Sequence, residues 1–194
     1  MKIQMSIFSA LFKRNRKKTA KIVTLGTSGA GKTTLIRFLE TGKPVEEVDM
    51  TLGIDIRNKG ATIGSWNLST IDVGGQDLYK NALWGLAVTQ ADGIIYVIDG
   101  TVREDRDKDD FQKSKLSFEY MLNILNQNKP VLVLVNKQDL VELNPYSVQD
   151  AVRVYEITNR NRGRDFNVIA GSAKLGNNIY EGMEWLMEKI EKLK

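Results

Sequence analysis

Four short segments carry residue types at spacings that could handle a nucleotide. Gly26-Thr27-Ser28-Gly29-Ala30-Gly31-Lys32-Thr33 fits the pattern G-x-x-x-x-G-K-[ST]. Its glycines let the backbone curl so that N–H groups converge on a phosphate, and a helix N-terminus behind the loop adds positive potential. Lys32 would reach the β- and γ-phosphates, and Thr33 would offer a hydroxyl to Mg²⁺. An ordinary glycine-rich turn is the plain alternative, so the pattern needs support from elsewhere in the chain. Asp72-Val73-Gly74-Gly75-Gln76 supplies some. A carboxylate at Asp72 suits a hard cation that keeps its waters, and so would act on Mg²⁺ through water. Gly75 can present a bare N–H to a γ-phosphate, and Gln76 can orient an attacking water. Asn136-Lys137-Gln138-Asp139 is the third segment. The Asp139 carboxylate can accept from guanine N1–H and its 2-amino group, a donor pair that adenine lacks, so the wrong base leaves a polar group unpaired. Ser172-Ala173-Lys174 is the fourth, with the Ala173 N–H assigned to guanine O6.

Each tetrapeptide alone reads equally well as a turn. Their placement is the stronger signal, because each follows an apolar, β-branched run. Ala20–Leu25 precedes the glycine-rich loop, and a helix follows from about Lys32 to Leu39. Leu52–Arg57 and Ile63–Val73 read as strands joined at Asn58-Lys59-Gly60, which has hairpin turn chemistry. Gly93–Asp99 and Val131–Val135 read as buried parallel strands and Phe166–Ala170 as another. Helical spacing marks Phe111–Leu125 (through Leu116, Tyr120, Leu122 and Leu125), Val148–Ile157 and Ile179–Leu193. The charge-alternating run Arg103–Asp110 reads as a solvated loop and helix start. Strand–helix alternation with one hairpin predicts an α/β domain with a mixed, mainly parallel sheet and helices on both faces.

Composition narrows the chemistry. The 194 residues include no Cys and no His, which excludes disulfides, thiolate or imidazole metal sites and histidine catalysis. No apolar run approaches the roughly 20 residues of a membrane span. The N-terminus places its apolar part before its basic part, the reverse of a secretory signal, so a cytosolic location is expected. The net charge of +4 is unevenly spread. Residues 1–21 hold seven of the 28 basic residues and none of the 24 acidic ones, which leaves the body mildly acidic. A nucleic-acid-binding body would carry the positive charge itself, so nucleic acid is not expected as a partner.

With these segments in order, the chain resembles the Ras superfamily of small GTPases and, within it, the Arf family. The resemblance covers nearly the whole chain. It rests on Gly-Lys-Thr-Thr at 31–34, Thr51-Leu52-Gly53, Asp-Val-Gly-Gly-Gln-Asp at 72–77, Asn-Lys-Gln-Asp-Leu at 136–140, Tyr180-Glu181-Gly182 and Trp185-Leu186. It implies a P-loop NTPase G domain with a six-stranded sheet, over residues 20–194. It adds Thr34 to the nucleotide-binding residues and makes Thr51 the switch I threonine that meets Mg²⁺ and the γ-phosphate. Switch II would run from Asp72 to about Trp84. Some positions depart from the family pattern. Ser28 stands where typical Arfs have Asp, Ile71 replaces a Trp, Ile54 replaces a Phe, and switch II is one residue longer. The identities of Arf partners are therefore not carried over, and the chain reads as a divergent relative.

The first 19 residues read as an amphipathic helix and a basic linker, similar to the N-terminal helix of Arf proteins. Ile3, Ile7, Phe8, Leu11 and Phe12 share a wide apolar face, and Lys13, Arg14, Arg16, Lys17 and Lys18 follow. Apolar insertion beside a polybasic run describes reversible binding to an anionic membrane surface. A helix packed on the G domain, or a disordered tail, is the alternative. Lys2 excludes N-myristoylation.

The resulting expectation is a GTP-binding switch that hydrolyses GTP to GDP, with Lys32, Thr51, Gly75 and Gln76 at the reacting phosphate and Mg²⁺ as cofactor. The sequence offers no arginine finger in cis. Slow turnover is therefore expected, along with an activating protein, an exchange factor and an effector as partners. Two rivals remain at this stage: an ATPase or nucleotide kinase on the same phosphate loop, and a nucleotide-locked scaffold without hydrolysis.

Overall fold

A computed structural model describes residues 18–46, 54–73, 77–125, 128–160 and 163–194. The elements are β1 (Lys18–Leu25), α1 (Lys32–Thr41), β2 (Ile54–Ile63), β3 (Trp66–Val73), α2 (Asp77–Gln90), β4 (Gly93–Asp99), α3 (Lys108–Ile124), β5 (Val131–Asn136), a 3₁₀ turn (Val141–Leu143), α4 (Val148–Val154), α5 (Ile157–Arg160), β6 (Phe166–Ala170) and α6 (Ile179–Leu193). The strands form one six-stranded sheet in the order β2-β3-β1-β4-β5-β6. Only the β2–β3 pair is antiparallel. The expected architecture of a mixed, mainly parallel sheet is present.

β4 and β5 are buried along their whole length because helices cover both faces of the sheet. Leu35, Phe38 and Leu39 of α1 and Met183, Leu186, Met187 and Ile190 of α6 pack on one face, against Ile22, Leu68, Ile95, Val97, Leu132 and Leu134. Trp84 and Val88 of α2, with Phe111, Phe118 and Met121 of α3 and Ala151 of α4, cover the other. There Tyr96, Phe118, Tyr155 and Phe111 form an edge-on aromatic chain with centroid separations of 5.1, 5.6 and 5.9 Å, each pair contributing about 1 kcal/mol beyond its burial. Burial holds the Tyr96 and Tyr155 phenols well above their ordinary pKa, so both stay neutral.

Three sequence expectations need correction, and one helix goes unpredicted. The hairpin turn is at Gly64-Ser65, not Asn58-Lys59-Gly60, since Ile63 pairs with Trp66. Gly64 takes φ 54°, the positive angle that a two-residue hairpin loop demands of its first residue. Asn58-Lys59-Gly60 instead occupies an irregularity where the register slips between Arg57 and Ala61. α2 was not anticipated, because Gly85 at its middle and the outward Leu86 blur its period. In α3 Leu116 is 62% exposed, while Ser114 and Ser117 turn inward beside Phe111, Phe118, Met121 and Leu122. The aromatic chain leaves room only for small side chains there, and Ser114 Oγ lies 2.7 Å from the Tyr155 hydroxyl. The segment Val148–Ile157 is not one helix. It breaks after Val154, where Tyr155 is fully buried and Glu156 turns left-handed at φ 54°.

Candidate nucleotide site

The loops after β1, β3, β4, β5 and β6 all leave the same edge of the sheet, because those strands are parallel. The first of them, residues 26–31, passes through three glycines at positive φ and delivers Lys32 into the first turn of α1. Lys32 is 6% exposed, and its Nζ donates to the Thr27 carbonyl oxygen at 2.8 Å, which draws the ammonium across the mouth of the loop. Gly31 caps α1 in the left-handed region, φ 98°. A Cβ there would also run into Asn136 Nδ2, so both conformation and space require glycine.

Asn136, the last residue of β5, is the joint of the site. It is 3% exposed. Its Nδ2 donates to the Ala30 carbonyl oxygen at 2.7 Å, and its Oδ1 accepts the Ala173 N–H at 2.8 Å. One amide thereby ties the glycine-rich loop to the Ser172–Lys174 loop. The Ala173 N–H assigned to guanine O6 is engaged with Asn136 in this structure. Ser172 is fully buried and its Oγ accepts the Leu175 N–H at 3.1 Å, which shapes that loop from within. The Lys174 carbonyl oxygen accepts from Val45 N–H at 2.9 Å and brings the segment after α1 to the same place.

Together these loops enclose a cleft of about 220 Å³ lined by Gly29, Gly31, Thr34, Glu46, Asn136, Lys137, Asp139, Leu140 and Lys174. The phosphate loop and both base-reading segments therefore converge. Thr33 faces a second partner: its Oγ1 donates to Asp72 Oδ2 at 2.5 Å, across the ends of β1 and β3. Thr51, Gly75, Gln76 and the N-terminal residues Ile3 to Lys17 lie outside the described residues. Lys18, grouped with the basic tail, is instead the first residue of β1, and its side chain pairs with Glu191 and sits 5.4 Å over the Trp66 ring. Glu46 and Asp99 were not anticipated at the site. For Asp99 a signal existed, since ligands in open α/β sheets gather at the carboxyl ends of strands.

The family model described as the ADP-ribosylation factor family matches residues 4–190 of this chain. The chain belongs to the ADP-ribosylation factor family. Relatives include ADP-ribosylation factor-like protein 3 of Chlamydomonas reinhardtii, 30% identical over 92% of this chain and 94% of that protein. An ADP-ribosylation factor of Encephalitozoon cuniculi is 31% identical over 89% and 84% of the two chains. Among solved structures, the Arl6 BBS3 small GTPase from Trypanosoma brucei, with the nucleotide analogue GppNp bound, matches at a TM-score of 0.77. That match covers 91% of this chain and 100% of the other at 22% identity, which establishes the likeness of fold. ADP-ribosylation factor family proteins are small GTPases, and this one is accordingly a GTP-binding switch protein that hydrolyses GTP. Membership removes the ATPase, kinase and non-hydrolysing scaffold readings. Among the described residues no helix is long and apolar enough to cross a membrane.

Proposed function

We propose that the ~220 Å³ cleft holds the guanine base, that residues 26–34 wrap the phosphates, and that the nucleotide state governs contacts with partners and an anionic membrane. The observation that supports this reading best is the Asn136 side chain. It bonds at once to the phosphate loop and to the Ser172–Lys174 loop, so base and phosphates would be held by one connected frame. Asp139 lines the cleft and would be the acceptor for guanine N1–H and the 2-amino group.

Mg²⁺ fits the residues present. Thr33 Oγ1 and the Asp72 carboxylate are hard oxygen donors 2.5 Å apart. Thr33 and Thr51 would hold it directly and Asp72 through water; when bound it neutralises phosphate charge. The chain's own groups would do the rest. Lys32, already drawn across the loop, would pair with the phosphates. Gln76 would align the attacking water, and Thr51 and Gly75 would hold the γ-phosphate end. The N-terminal helix with its basic run would engage the membrane in the GTP form, and an exchange factor, an activating protein and an effector would complete the cycle.

The test is base choice. Asp139→Asn should weaken GTP and favour the xanthine nucleotide, which presents an acceptor where guanine has its amino group. Competition of GTP and xanthosine triphosphate against a fluorescent nucleotide measures this. Unchanged GTP affinity would remove Asp139 from the base-reading role.

A further inference from the structure

Asp99 ends β4 and has none of the roles assigned above. Its side chain is 12% exposed, and its two oxygens are divided between two partners. Oδ1 accepts from the Thr101 N–H at 3.0 Å and from the Thr101 hydroxyl at 2.7 Å. Thr101 is itself buried. Oδ2 accepts from Lys137 Nζ at 2.6 Å. Two bonds thus fix the carboxylate's plane and leave one oxygen aimed at the lysine. Lys137 sits between Asn136, which joins the loops, and Asp139, the base reader, and adopts φ 65°, a left-handed conformation uncommon for a long side chain. Lys137 lines the cleft, and its charged end is bound at Asp99.

We infer that Asp99 is a positioning residue for the base: it grips Lys137 by its ammonium so that the aliphatic stem forms one wall of the base cleft. This rests on the reading of that cleft as the guanine pocket. A long cationic side chain covers apolar surface with its methylenes while its head seeks a polar partner. Asp99 supplies that partner away from the base, so the stem rather than the charge meets the ring. Such a wall contacts a planar base whatever its 2-substituent and whatever the phosphate count. The effect of Asp99 must then be equal for GDP and GTP, and must leave the hydrolysis of bound GTP untouched.

Stopped-flow dissociation of fluorescent GDP and of a non-hydrolysable GTP analogue tests this on the full chain. Asp99→Asn keeps the shape and the acceptor for Thr101 but drops the charge that holds Lys137. It should raise both dissociation rates by the same factor, about tenfold, between the effect of an exposed ion pair and that of a buried one. Thr101→Val loosens Asp99 without touching its charge and should raise them by roughly threefold. In a Lys137→Met background, Asp99→Asn should add no further increase. Single-turnover hydrolysis of preloaded GTP should stay within about twofold of the parent. The inference is overturned if Asp99→Asn and Thr101→Val leave dissociation unchanged, if the Asp99→Asn effect persists in full with Lys137→Met, or if GDP and GTP analogue respond unequally. Asp139→Asn run alongside separates the two levels. If it fails to shift preference toward xanthine, the guanine pocket itself is misassigned; if it shifts and Asp99→Asn is silent, only the positioning role falls.

Discussion

Asn136→Ala is the most demanding test of the frame that joins the nucleotide loops. The side chain is 3% exposed, and its two partners, Ala30 and Ala173, are fully buried residues. Deleting the amide strands the Ala30 carbonyl, now bonded at 2.7 Å, and the Ala173 N–H, now bonded at 2.8 Å. An unsatisfied buried group costs about 1–3 kcal/mol, so two cost about 3 kcal/mol after partial relaxation. Against a domain stability of roughly 5–15 kcal/mol that is a large share. At roughly 2–4 °C per kcal/mol for a chain of this size, the melting point should fall by about 6–12 °C. Urea unfolding followed by circular dichroism, with GDP at one fixed excess, reads the change as a lower midpoint at unchanged slope. Asn136→Asp is the sharper control. It keeps the acceptor for Ala173 but sets a carboxylate oxygen against the Ala30 carbonyl, so it should be at least as damaging. A stability within about 0.5 kcal/mol of the parent for Asn136→Ala, or a parent-like Asn136→Asp, would refute the claim that this amide carries the frame.

Gln76→Leu should bind GTP normally and hydrolyse it roughly a hundredfold more slowly in single turnover, because water alignment acts only in the transition state; a parental rate would remove Gln76 from that role. Ile7→Glu combined with Phe8→Glu should abolish sedimentation with anionic liposomes while leaving nucleotide binding intact, and equal sedimentation of the GDP and GTP forms of the parent would sever the membrane from the switch. Ser147→Ala breaks the capping box at the start of α4 and should cost about 1 kcal/mol. The Ser147 hydroxyl, aided by its backbone N–H, holds the Asp150 carboxyl below the usual range. The stabilisation is therefore present above about pH 4 and lost as pH falls through the lowered folded-state value. An NMR titration of Asp150 that failed to move upward in Ser147→Ala would contradict the geometry.

What could be read from the chain alone follows the range of the forces involved. Gly31-Lys32-Thr33 and Asn136–Asp139 were legible because their chemistry fixes residue types at fixed local spacing. β4 and β5 were legible because burial on both faces writes a continuous apolar run. The hairpin turn was not, since Asn58-Lys59-Gly60 and Gly64-Ser65 both have turn chemistry only a few residues apart. Pairing of Ile63 with Trp66 decides between them, and pairing is a property of two strands. Leu116 is exposed and Ser114 buried for a similar reason: Tyr96 and Tyr155, which arrive from other elements, determine how large an α3 residue the core accepts. The Asp99–Lys137 contact spans 38 residues and has no local signature at all.

The strand order explains why those local motifs become one site. From β1 the chain goes outward to the β2–β3 edge, while β3 crosses over β1 to reach β4 and continue toward β6. The two connections diverge at the β1–β4 boundary, and a crevice opens where helices on opposite faces part company. The glycine-rich loop leaves β1 at that point, and Asp99 ends β4 beside it. The bonds that close the site run between the ends of different strands rather than within any loop: Thr33 to Asp72 on the β1 side of the boundary, Lys137 to Asp99 and Asn136 to Ala173 on the β4 side, and Asn136 to Ala30 across it. Each loop is therefore shaped by a residue from another strand's end. A substitution in the base-reading segment should reach the phosphate loop through Asn136 without any change in the sheet. Comparing Asn136→Ala with Asp139→Asn isolates that route. Both occupy the same segment, but only the first bonds to Ala30, so only the first should disturb amide exchange across residues 26–31. Equal disturbance by both would place the coupling in the bound nucleotide instead.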